Sequence, residues 1–441
     1  MSANRFLDPS SASARLFAQA QRLIPGGTSK ANFNVKPHPF YVASGRGCRI
    51  TDLDGVERLD AINNFTALVH GHAFPPVVQA VTEQVARGSA FAASTREEVD
   101  LAQLLVERVP GVERIRFANS GTEGVMMAIK AARAYTGRDR IAKFEGAYHG
   151  YYDDVQVSFS SGPADWGPEH EPTSVPSSRG VPKHRVAETL VLPWNDRDAV
   201  ERLLTRHAPE IAAVVVDPLS NRMGFIPPAP GFLDHVRRVT RALGILVIFD
   251  EVISFRVAAG GAQSRYGGDP DLTAFGKIIG GGFPVGATGG KAEVMAVFDP
   301  GSSNAIASGG TFTANPVSMV AGLATLRALD GATYERLERM GADLRARLGE
   351  RLREHGVDGH ITGDASLFRF VMTSKPPRTY RDTVEPAASE RMGRLFMHLL
   401  DAGVLVNTNG LACLSTPMGD AELAEIVQAF DQALWQLRRA R

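Results

Sequence analysis

The sequence predicts an α/β fold whose mainly parallel sheet is covered by helices on both faces. Residues 211–216 and 245–249 are two apolar runs without polar alternation, which is typical of strands buried on both faces. Between them, residues 232–239 carry apolar side chains at helical spacing, and Gly244 is well suited to end that helix. Apolar strands that alternate with amphipathic helices indicate a parallel sheet between two helical layers.

The same alternation continues towards the N-terminus. It comprises strand 114–118, helix 124–135, strands 141–144 and 190–192, and a helix carrying Val200, Leu203 and Leu204. Ligands of such sheets bind at the carboxyl ends of the strands. Ser120 and Asp250 both fall at such ends, so the sequence predicts a ligand site there.

The last third of the chain predicts a separate, smaller α+β domain. A long helix over residues 333–355 has leucines along one stripe and ends before Gly356. Strand 366–372 and helices 388–400 and 421–437 follow it. The strand–helix alternation of the middle of the chain is lost here, which indicates a different architecture.

The composition argues against several classes of function. Lys plus Arg and Asp plus Glu number 48 each, so the chain lacks the basic surplus typical of proteins that bind nucleic acid or anionic membranes. His70 and His72 are the only close histidine pair and have no cysteine or carboxylate nearby, so no metal site is expected. Because the chain start has no apolar signal segment and no run approaches eighteen apolar residues, we expect a cytoplasmic protein.

Lys277 is the most informative residue of the chain. It lies among glycines and other small residues, twenty-seven residues after Asp250. Asp250 stands at the end of an apolar strand. A lysine amine can hold the aldehyde of pyridoxal phosphate as a Schiff base, and a carboxylate can keep the pyridine nitrogen protonated. Taken alone, a lysine beside glycines is more often a solvated surface residue, so the prediction depends on further residues.

Ser120, Gly121 and Thr122 are candidates for binding the phosphate. They precede helix 124–135, and the unpaired N–H groups at a helix start can bind an anion. The alternative is an ordinary N-cap with a glutamate close behind it. Only further motifs in the same chain can favour the phosphate site.

Tyr148 and His149 follow strand 141–144 between small residues. The tyrosine ring could stack on a flat cofactor, or it could be a packed residue at the end of a strand. The histidine could contact substrate or cofactor, or it could make a structural hydrogen bond. The residues alone leave both choices open.

Five motifs stand in the order in which one enzyme family has them. They are Asn119-Ser-Gly-Thr-Glu123, Lys143-Phe-Glu-Gly-Ala-Tyr-His-Gly150, Phe249-Asp-Glu-Val252, Gly276-Lys277 and Gly310-Thr-Phe-Thr-Ala-Asn-Pro316. From about residue 23 to the C-terminus, the chain resembles the fold-type I pyridoxal-phosphate enzymes of aminotransferase class III. Within that class it resembles the glutamate-1-semialdehyde 2,1-aminomutases and the β-amino-acid aminotransferases.

The resemblance implies roles for particular residues. The cofactor-binding residues that it implies are Ser120, Gly121, Thr122, Tyr148, Asp250, Val252, Lys277 and Thr311. Lys277, as the Schiff-base lysine, and Asp250, as the partner of the pyridine nitrogen, would be the catalytic residues. Thr311 would reach the phosphate from the second subunit, which implies a homodimer or a dimer of dimers.

The resemblance also implies the domain organisation. An N-terminal segment, 1–50, would pack with the small domain. The large domain that binds pyridoxal phosphate would span residues 51–330, and the small α+β domain would span residues 331–441. Residues 158–187, rich in Pro, Ser and Gly, would form a long loop that covers the active site or contributes to the dimer contact.

Departures from the family pattern bear on the reaction. Asp217 and Asn221 differ from the aminomutases, and the turn at Ser254 is one residue shorter, as in the β-amino-acid aminotransferases. Those enzymes hold the substrate carboxylate with arginines, where this chain has Lys30 and Asn409. A lysine can pair with a carboxylate as a point charge, whereas an asparagine does not replace the charge.

We therefore predict an aminotransferase that moves an amino group from an amino acid or amine donor to a keto acid or aldehyde acceptor. The candidate substrate residues are Lys30, His149 and Asn221. Intramolecular amino transfer of the glutamate-1-semialdehyde aminomutase kind, or racemisation, is the alternative. A binding module that keeps pyridoxal phosphate without catalysis is a third hypothesis, which the intact Lys277 and Asp250 disfavour.

Overall fold

The structure is a computed structural model that describes residues 4–30, 33, 35–303 and 305–439. Its contacts divide the chain into two compact units. The first unit consists of Met1–Pro75, Glu335–Pro376 and Glu385–Arg441, and the second consists of Pro76–Tyr334 and Pro377–Val384.

The strands are β1 (Val42–Arg46), β2 (Arg49–Asp52), β3 (Glu57–Asp60), β4 (Arg114–Ala118), β5 (Arg140–Phe144), β6 (Thr189–Leu192), β7 (Ile211–Val216), β8 (Leu246–Asp250), β9 (Leu272–Gly276), β10 (Gly286–Gly290), β11 (His360–Thr362), β12 (Leu367–Val371), β13 (Val404–Leu405) and β14 (Leu411–Cys413).

Fourteen α-helical segments accompany these strands within the described residues. They are α1 (Ala12–Ala20), α2 (Asn63–Thr66), α3 (Pro75–Arg87), α4 (Arg96–Arg108), α5 (Gly121–Thr136), α6 (Lys183–Ala187), α7 (Arg197–His207), α8 (Phe232–Ala242), α9 (Gly261–Tyr266), α10 (Ala292–Met295), α11 (Pro316–Arg327), α12 (Gly331–His355), α13 (Pro386–Asp401) and α14 (Asp420–Arg439). None of them combines the length and the apolar character needed to cross a bilayer.

The second unit is built on a seven-stranded sheet in the order β4-β10-β9-β8-β7-β5-β6. Strand β10 runs antiparallel to both of its neighbours, and the other pairs are parallel. The predicted mainly parallel sheet is therefore confirmed. Because β4 and β9 both oppose β10, they run in the same direction as the central strands, and the carboxyl ends of six strands share one edge.

Helices cover both faces of this sheet, as the uninterrupted apolar strands predict. All six residues of β7 are buried. Val215 packs in one core cluster with Ile129 of α5, and Val214 packs in another with Phe232 of α8. Neighbouring residues of a strand point to opposite faces, so a strand buried on both sides must be apolar throughout.

The first unit holds two smaller sheets. One has the order β1-β2-β3-β13, with β13 parallel to β3, and the other is the antiparallel sheet β11-β12-β14. Its core contains, among others, Phe368, Phe370, Leu395, Leu399 and Phe430. The predicted α+β character of the C-terminal part agrees with these elements.

The compact units differ from the predicted division at three places, of which residues 331–334, in the second unit, are the shortest. Residues 51–75 belong to the first unit, because β3 pairs with β13 near the other end of the chain. Residues 377–384 belong to the second unit. Arg381 there makes two hydrogen bonds to the buried carboxylate of Glu145, at 2.7 and 3.1 Å.

Residues 158–187 form a long segment whose regular structure is limited to the short α6 and a bridge between Val157 and Pro176. Arg381 stabilises this segment, because its guanidinium donates hydrogen bonds to the carbonyl oxygens of Trp166 and Gly167, each at 2.8 Å. The segment is therefore held by defined contacts within the second unit. Its role as active-site cover or dimer contact stays a prediction.

Candidate active site

The predicted site residues of the second unit gather at the carboxyl edge of its sheet. Ser120 follows β4, Tyr148 and His149 follow β5, Asp217 and Asn221 follow β7, Asp250 ends β8, and Lys277 follows β9. In parallel sheets this edge is where ligands bind, because loops of several strands converge there.

The start of helix α5 offers a site for an anion. Ser120 caps the helix by accepting a hydrogen bond from the Glu123 N–H at 3.2 Å, and Glu123 accepts one from the Asn119 N–H at 2.6 Å. This is the reciprocal capping that sequence reasoning gave as the alternative. It leaves the N–H groups of Gly121 and Thr122 without an acceptor among the described residues. Capping and anion binding are therefore compatible here, and the helix dipole favours a negative charge at this end.

Close packing joins this helix start to the strands beside it. A Cβ atom on Gly121 would lie 2.7 Å from Cγ1 of Val252, and one on Gly276 would lie 3.2 Å from Cα of Gly121. A Cβ atom on Gly150 would lie 2.5 Å from the Thr122 hydroxyl. Glycine at these positions lets three loops approach the anion site, so Val252 and the residue before Lys277 both border it.

Asp250 and His149 form a buried pair. Nδ1 of His149 lies 2.7 Å from Oδ2 of Asp250, and Oδ1 of Asp250 accepts a hydrogen bond from the Val252 N–H at 3.1 Å. Burial lowers the pKa of His149, while Asp250 opposes that shift. A neutral imidazole can donate a hydrogen bond from Nδ1 to the Asp250 carboxylate. Of the two roles open to His149, the structure thus shows a hydrogen bond to the site carboxylate.

Lys277 has an unusual backbone and a perturbed amine. Its φ of 52° lies in the left-handed region, which costs about 1–3 kcal/mol for a residue with a side chain and is typical of functional sites. Burial lowers the pKa of Lys277, against the raising effects of Asp250 and Asp217. The amine is therefore a better nucleophile at neutral pH than an exposed lysine.

Asp217 is a second buried carboxyl group at this edge. Burial, followed by the charge of Asp250, raises its pKa well above the ordinary value, and a hydrogen bond from the Leu219 N–H at 3.2 Å opposes the shift. Two neighbouring buried carboxyl groups do not both ionise easily. Asp217 is therefore the carboxyl group whose ionisation the surroundings oppose.

The ring of Tyr148 lies in an aromatic cluster. It makes edge contacts with Tyr151 and Phe159, at centroid distances of 5.8 and 5.4 Å. The guanidinium carbon of Arg222 lies 5.9 Å from the centre of the Tyr148 ring. Sequence reasoning selected Asn221 and missed Arg222, because nothing in the local pattern marks which residue of the turn faces the aromatic cluster.

Thr311 lies elsewhere in the second unit, on an exposed loop. It lines a cavity of about 750 Å³ together with Arg116, Phe91 and Thr313. The neighbouring Gly310 approaches Asn119, since a Cβ atom on it would lie 3.8 Å from the Asn119 amide nitrogen. The predicted role of Thr311 across a dimer contact stays a prediction.

Lys30 and Asn409 belong to the first unit. The backbone N–H of Lys30 donates to the Thr28 hydroxyl at 2.9 Å, and the Asn409 side chain accepts from the Leu411 N–H at 3.1 Å. These two hydrogen bonds are local, and the Asn409 carbonyl oxygen also accepts a hydrogen bond from Nε of Arg369 at 3.1 Å. The substrate role of Lys30 stays a prediction. Within the described residues, no three His, Cys, Asp or Glu side chains are grouped as metal ligands.

Comparison with known proteins decides the family. The model of the family "Aminotransferase class-III" matches residues 31–434. The chain belongs to aminotransferase class III. Class III enzymes depend on pyridoxal phosphate and act on small molecules, so the predicted cofactor and enzyme class are confirmed.

Three class III relatives illustrate the range of reactions. A glutamate-1-semialdehyde 2,1-aminomutase from Methanothermobacter thermautotrophicus is 42% identical over 91% of this chain and 93% of its own. An omega-transaminase from Sphaerobacter thermophilus is 50% identical, with a TM-score of 0.96 over 99% of this chain and 100% of its own. A transaminase with pyridoxal phosphate bound is 41% identical, with a TM-score of 0.90 over 97% of this chain and 98% of its own.

The geometry fits the class III cofactor. The two N–H groups without an acceptor at the start of α5 suit its phosphate, and the Asp250 carboxylate suits a protonated ring nitrogen. Lys277 supplies an amine of lowered pKa for its aldehyde. His149 Nε2 is buried without a hydrogen-bond partner in the described part of the chain, which leaves one polar atom of the site available to a bound group.

Proposed function

We propose that this protein is an aminotransferase that moves an amino group from an amino acid or amine donor to a keto acid or aldehyde acceptor. The observation that carries the proposal is the convergence of Lys277, Asp250 and the free N–H groups of α5 at one edge of the sheet. A surface lysine would have neither a buried carboxylate pair nor an anion site beside it.

Lys277 has two roles in this proposal. Its amine, whose pKa is lowered by burial, would hold the cofactor through a covalent link to the cofactor's aldehyde. When Nζ is not engaged in that link, it would accept the proton from the substrate carbon and donate it back during the transfer. Pyridoxal phosphate supplies the aldehyde for the covalent link and an electron-poor ring that takes up the negative charge of the carbon.

Asp250, supported by His149, supplies the negative charge that would face the ring nitrogen of the cofactor. The Asp250 carboxylate, held by the His149 imidazole and the Val252 N–H, stabilises a positive charge on the ring nitrogen. Preorganised charge of this kind acts strongly because no solvent must reorganise around it. The ring of Tyr148 is the proposed stacking partner, and Gly121 and Thr122 are the proposed phosphate ligands.

Transfer between two substrates is favoured over transfer within one. The chain departs from the aminomutases at Asp217, Asn221 and the shortened turn at Ser254, all on the same edge of the sheet as Lys277. The 50% identity with an omega-transaminase supports the same choice. Aminomutase activity remains the second candidate, because a 42% identical relative has that name.

A screen of amino donors tests the proposal. We expect that one turnover with a good donor removes the yellow colour of the lysine-bound cofactor, and that colour returns only after a keto acid or aldehyde is added. Single-turnover absorbance measures both steps, and the Lys277→Ala variant is the control that should show neither. Sustained conversion of glutamate-1-semialdehyde to 5-aminolevulinate without any acceptor would instead establish the aminomutase.

We further propose a homodimer in which Thr311 completes the phosphate site of the partner subunit. The exposed ring of Phe312, with 61% of its surface accessible, and that of Phe91, with 51%, lie on or next to the cavity walls and suit a covered surface. Thr311→Ala should weaken retention of pyridoxal phosphate about tenfold, the loss of one hydrogen bond to a charged group. Thr313→Ala, two residues away, is the matched control, and equilibrium dialysis of the cofactor is the measurement. A protein that is a monomer by light scattering and is fully active in the same buffer would contradict the proposal.

A further inference from the structure

Arg222 is a cation at the proposed active site that none of the described residues neutralises. It lies in the turn after β7, partly buried, with its guanidinium carbon 5.3 Å from the ring centre of Phe159 and 5.9 Å from that of Tyr148. Burial raises the pKa of Tyr148, and the positive charge of Arg222 opposes that rise, as expected for neighbouring groups. The guanidinium thus lies beside the ring proposed to stack on the cofactor.

The surroundings of Arg222 differ from those of two other largely buried arginines of the second unit. Arg237 makes two hydrogen bonds to Asp271, and Arg381 makes two to Glu145. Arg222 has no ion pair and no side-chain hydrogen bond within the described part of the chain, although a guanidinium carries five N–H donors. Its donors are therefore available to a ligand.

The turn that presents Arg222 is firmly held. The Phe225 N–H donates to the Ser220 carbonyl oxygen and the Gly224 N–H to that of Asn221, each at 2.9 Å. Phe225 is fully buried and keeps a left-handed backbone with φ 50°. A cation on such an anchored turn is preorganised, so less entropy is lost when it binds a partner.

The chemistry of this position selects one class of ligand. A planar guanidinium pairs with a carboxylate through two parallel hydrogen bonds, and nearby aromatic rings strengthen that pairing by excluding water. Lys30, a predicted substrate residue, supplies only a point charge and Asn409 supplies none, so an arginine would add the paired hydrogen bonds that a substrate carboxylate favours. Tyr148 and Phe159 offer an apolar wall for the rest of such a molecule.

We propose that Arg222 binds the carboxylate of the substrate, so that the enzyme acts on amino acids and keto acids in preference to simple amines and aldehydes. This inference rests on the proposed aminotransferase function and names its substrate class. Arg222 is then the residue that determines specificity.

Binding of 3-phenylpropanoate, a carboxylate without an amino group, tests the inference without turnover. Isothermal titration of the enzyme loaded with pyridoxal phosphate should show binding that Arg222→Gln weakens about 10- to 100-fold, as expected for lost hydrogen bonds to a charged group. Arg222→Lys should retain part of the affinity, because a point charge remains. Arg439→Gln is the matched control: Arg439 also lies over an aromatic ring, 4.0 Å from the centre of Trp435, and its loss should leave binding unchanged.

A donor comparison gives the second readout. The best amino acid donor is compared with the same molecule carrying hydrogen in place of its carboxylate. Arg222→Gln should lower kcat/KM for the amino acid about 10- to 100-fold and leave the amine nearly unaffected, so the preference collapses. Unchanged cofactor absorbance in the variant shows that the site is intact.

The possible outcomes separate the two proposals. Equal affinity of wild type and Arg222→Gln for 3-phenylpropanoate overturns the inference, and so does a wild-type preference for amines over the corresponding amino acids. Either result leaves the aminotransferase function standing. If no donor of any kind reacts, the proposed function fails, and the titration still decides whether Arg222 binds carboxylates.

Discussion

Replacing Lys277 with alanine should abolish covalent cofactor binding and lower the rate of amino transfer by about 10⁴-fold or more. The variant loses both the amine that binds the aldehyde and the group that carries the proton, and each of these is a large contribution to catalysis. Cofactor bound only through its phosphate and ring contacts should remain, but it should wash out on dialysis. Single-turnover kinetics with the best donor measure the rate.

Lys143 is the competing candidate against which the assignment of Lys277 as the cofactor-binding lysine can be tested. It is a second buried lysine of the same unit, and burial lowers its pKa to about 7. Its Nζ donates to the carbonyl oxygens of Phe144 and Val157, at 3.1 and 2.8 Å, so its donors are directed to the backbone. Borohydride reduction and peptide mapping should place the cofactor label on Lys277 and leave Lys143 free. A label on Lys143 would overturn the site assignment.

Asp250→Asn should lower the single-turnover rate by about 10²- to 10³-fold, the range seen when one preorganised electrostatic contact is removed. The neutral amide cannot stabilise a positive charge on the ring nitrogen. Asp217→Asn provides the matched control at the same edge of the sheet. Because burial and the charge of Asp250 raise the pKa of Asp217 well above its usual value, we expect that carboxyl to be neutral at the pH of the assay. Its amide replacement should therefore change the rate by less than about tenfold.

Two outcomes would contradict this assignment of charge. Equal losses in the two variants would mean that both carboxyl groups are ionised or that neither acts on the cofactor. A larger loss in Asp217→Asn would exchange their roles. The pH dependence of the rate in Asp250→Asn adds a further check, since removal of the neighbouring charge lowers the pKa of Asp217 and lets it ionise at lower pH.

The features that could be predicted from the sequence are those that depend on residues close together in the chain. The strand 211–216 is apolar at every position, and a strand with both faces buried has no alternative composition. The start of α5 is predictable because Ser120 and Glu123 are spaced for reciprocal capping. The order of such segments was enough to predict the fold and to locate the edge of the sheet where the site lies.

Contacts between distant parts of the chain could not be predicted in this way. Strand β3 joins the first unit through a pairing with β13, more than 300 residues later, which no local periodicity records. Arg222 lies beside the aromatic cluster on the turn after β7, and the left-handed backbone of Phe225 in that turn is not marked by any local pattern. The raised pKa of Asp217 likewise comes from its burial and from the charge of Asp250, which lies on another strand.

The contact between Arg381 and Glu145 has a consequence for how the chain is made. The second unit is interrupted, so a ribosome completes it only after much of the first unit has been synthesised. Until Arg381 emerges, the carboxylate of Glu145 lacks its guanidinium partner, and a buried unpaired charge costs about 3–5 kcal/mol. The nascent unit must therefore keep Glu145 protonated or hydrated, with the segment around Trp166 unfastened. Neither unit corresponds to one continuous stretch of the chain. The larger unit completes its folding only when the chain is nearly fully synthesised.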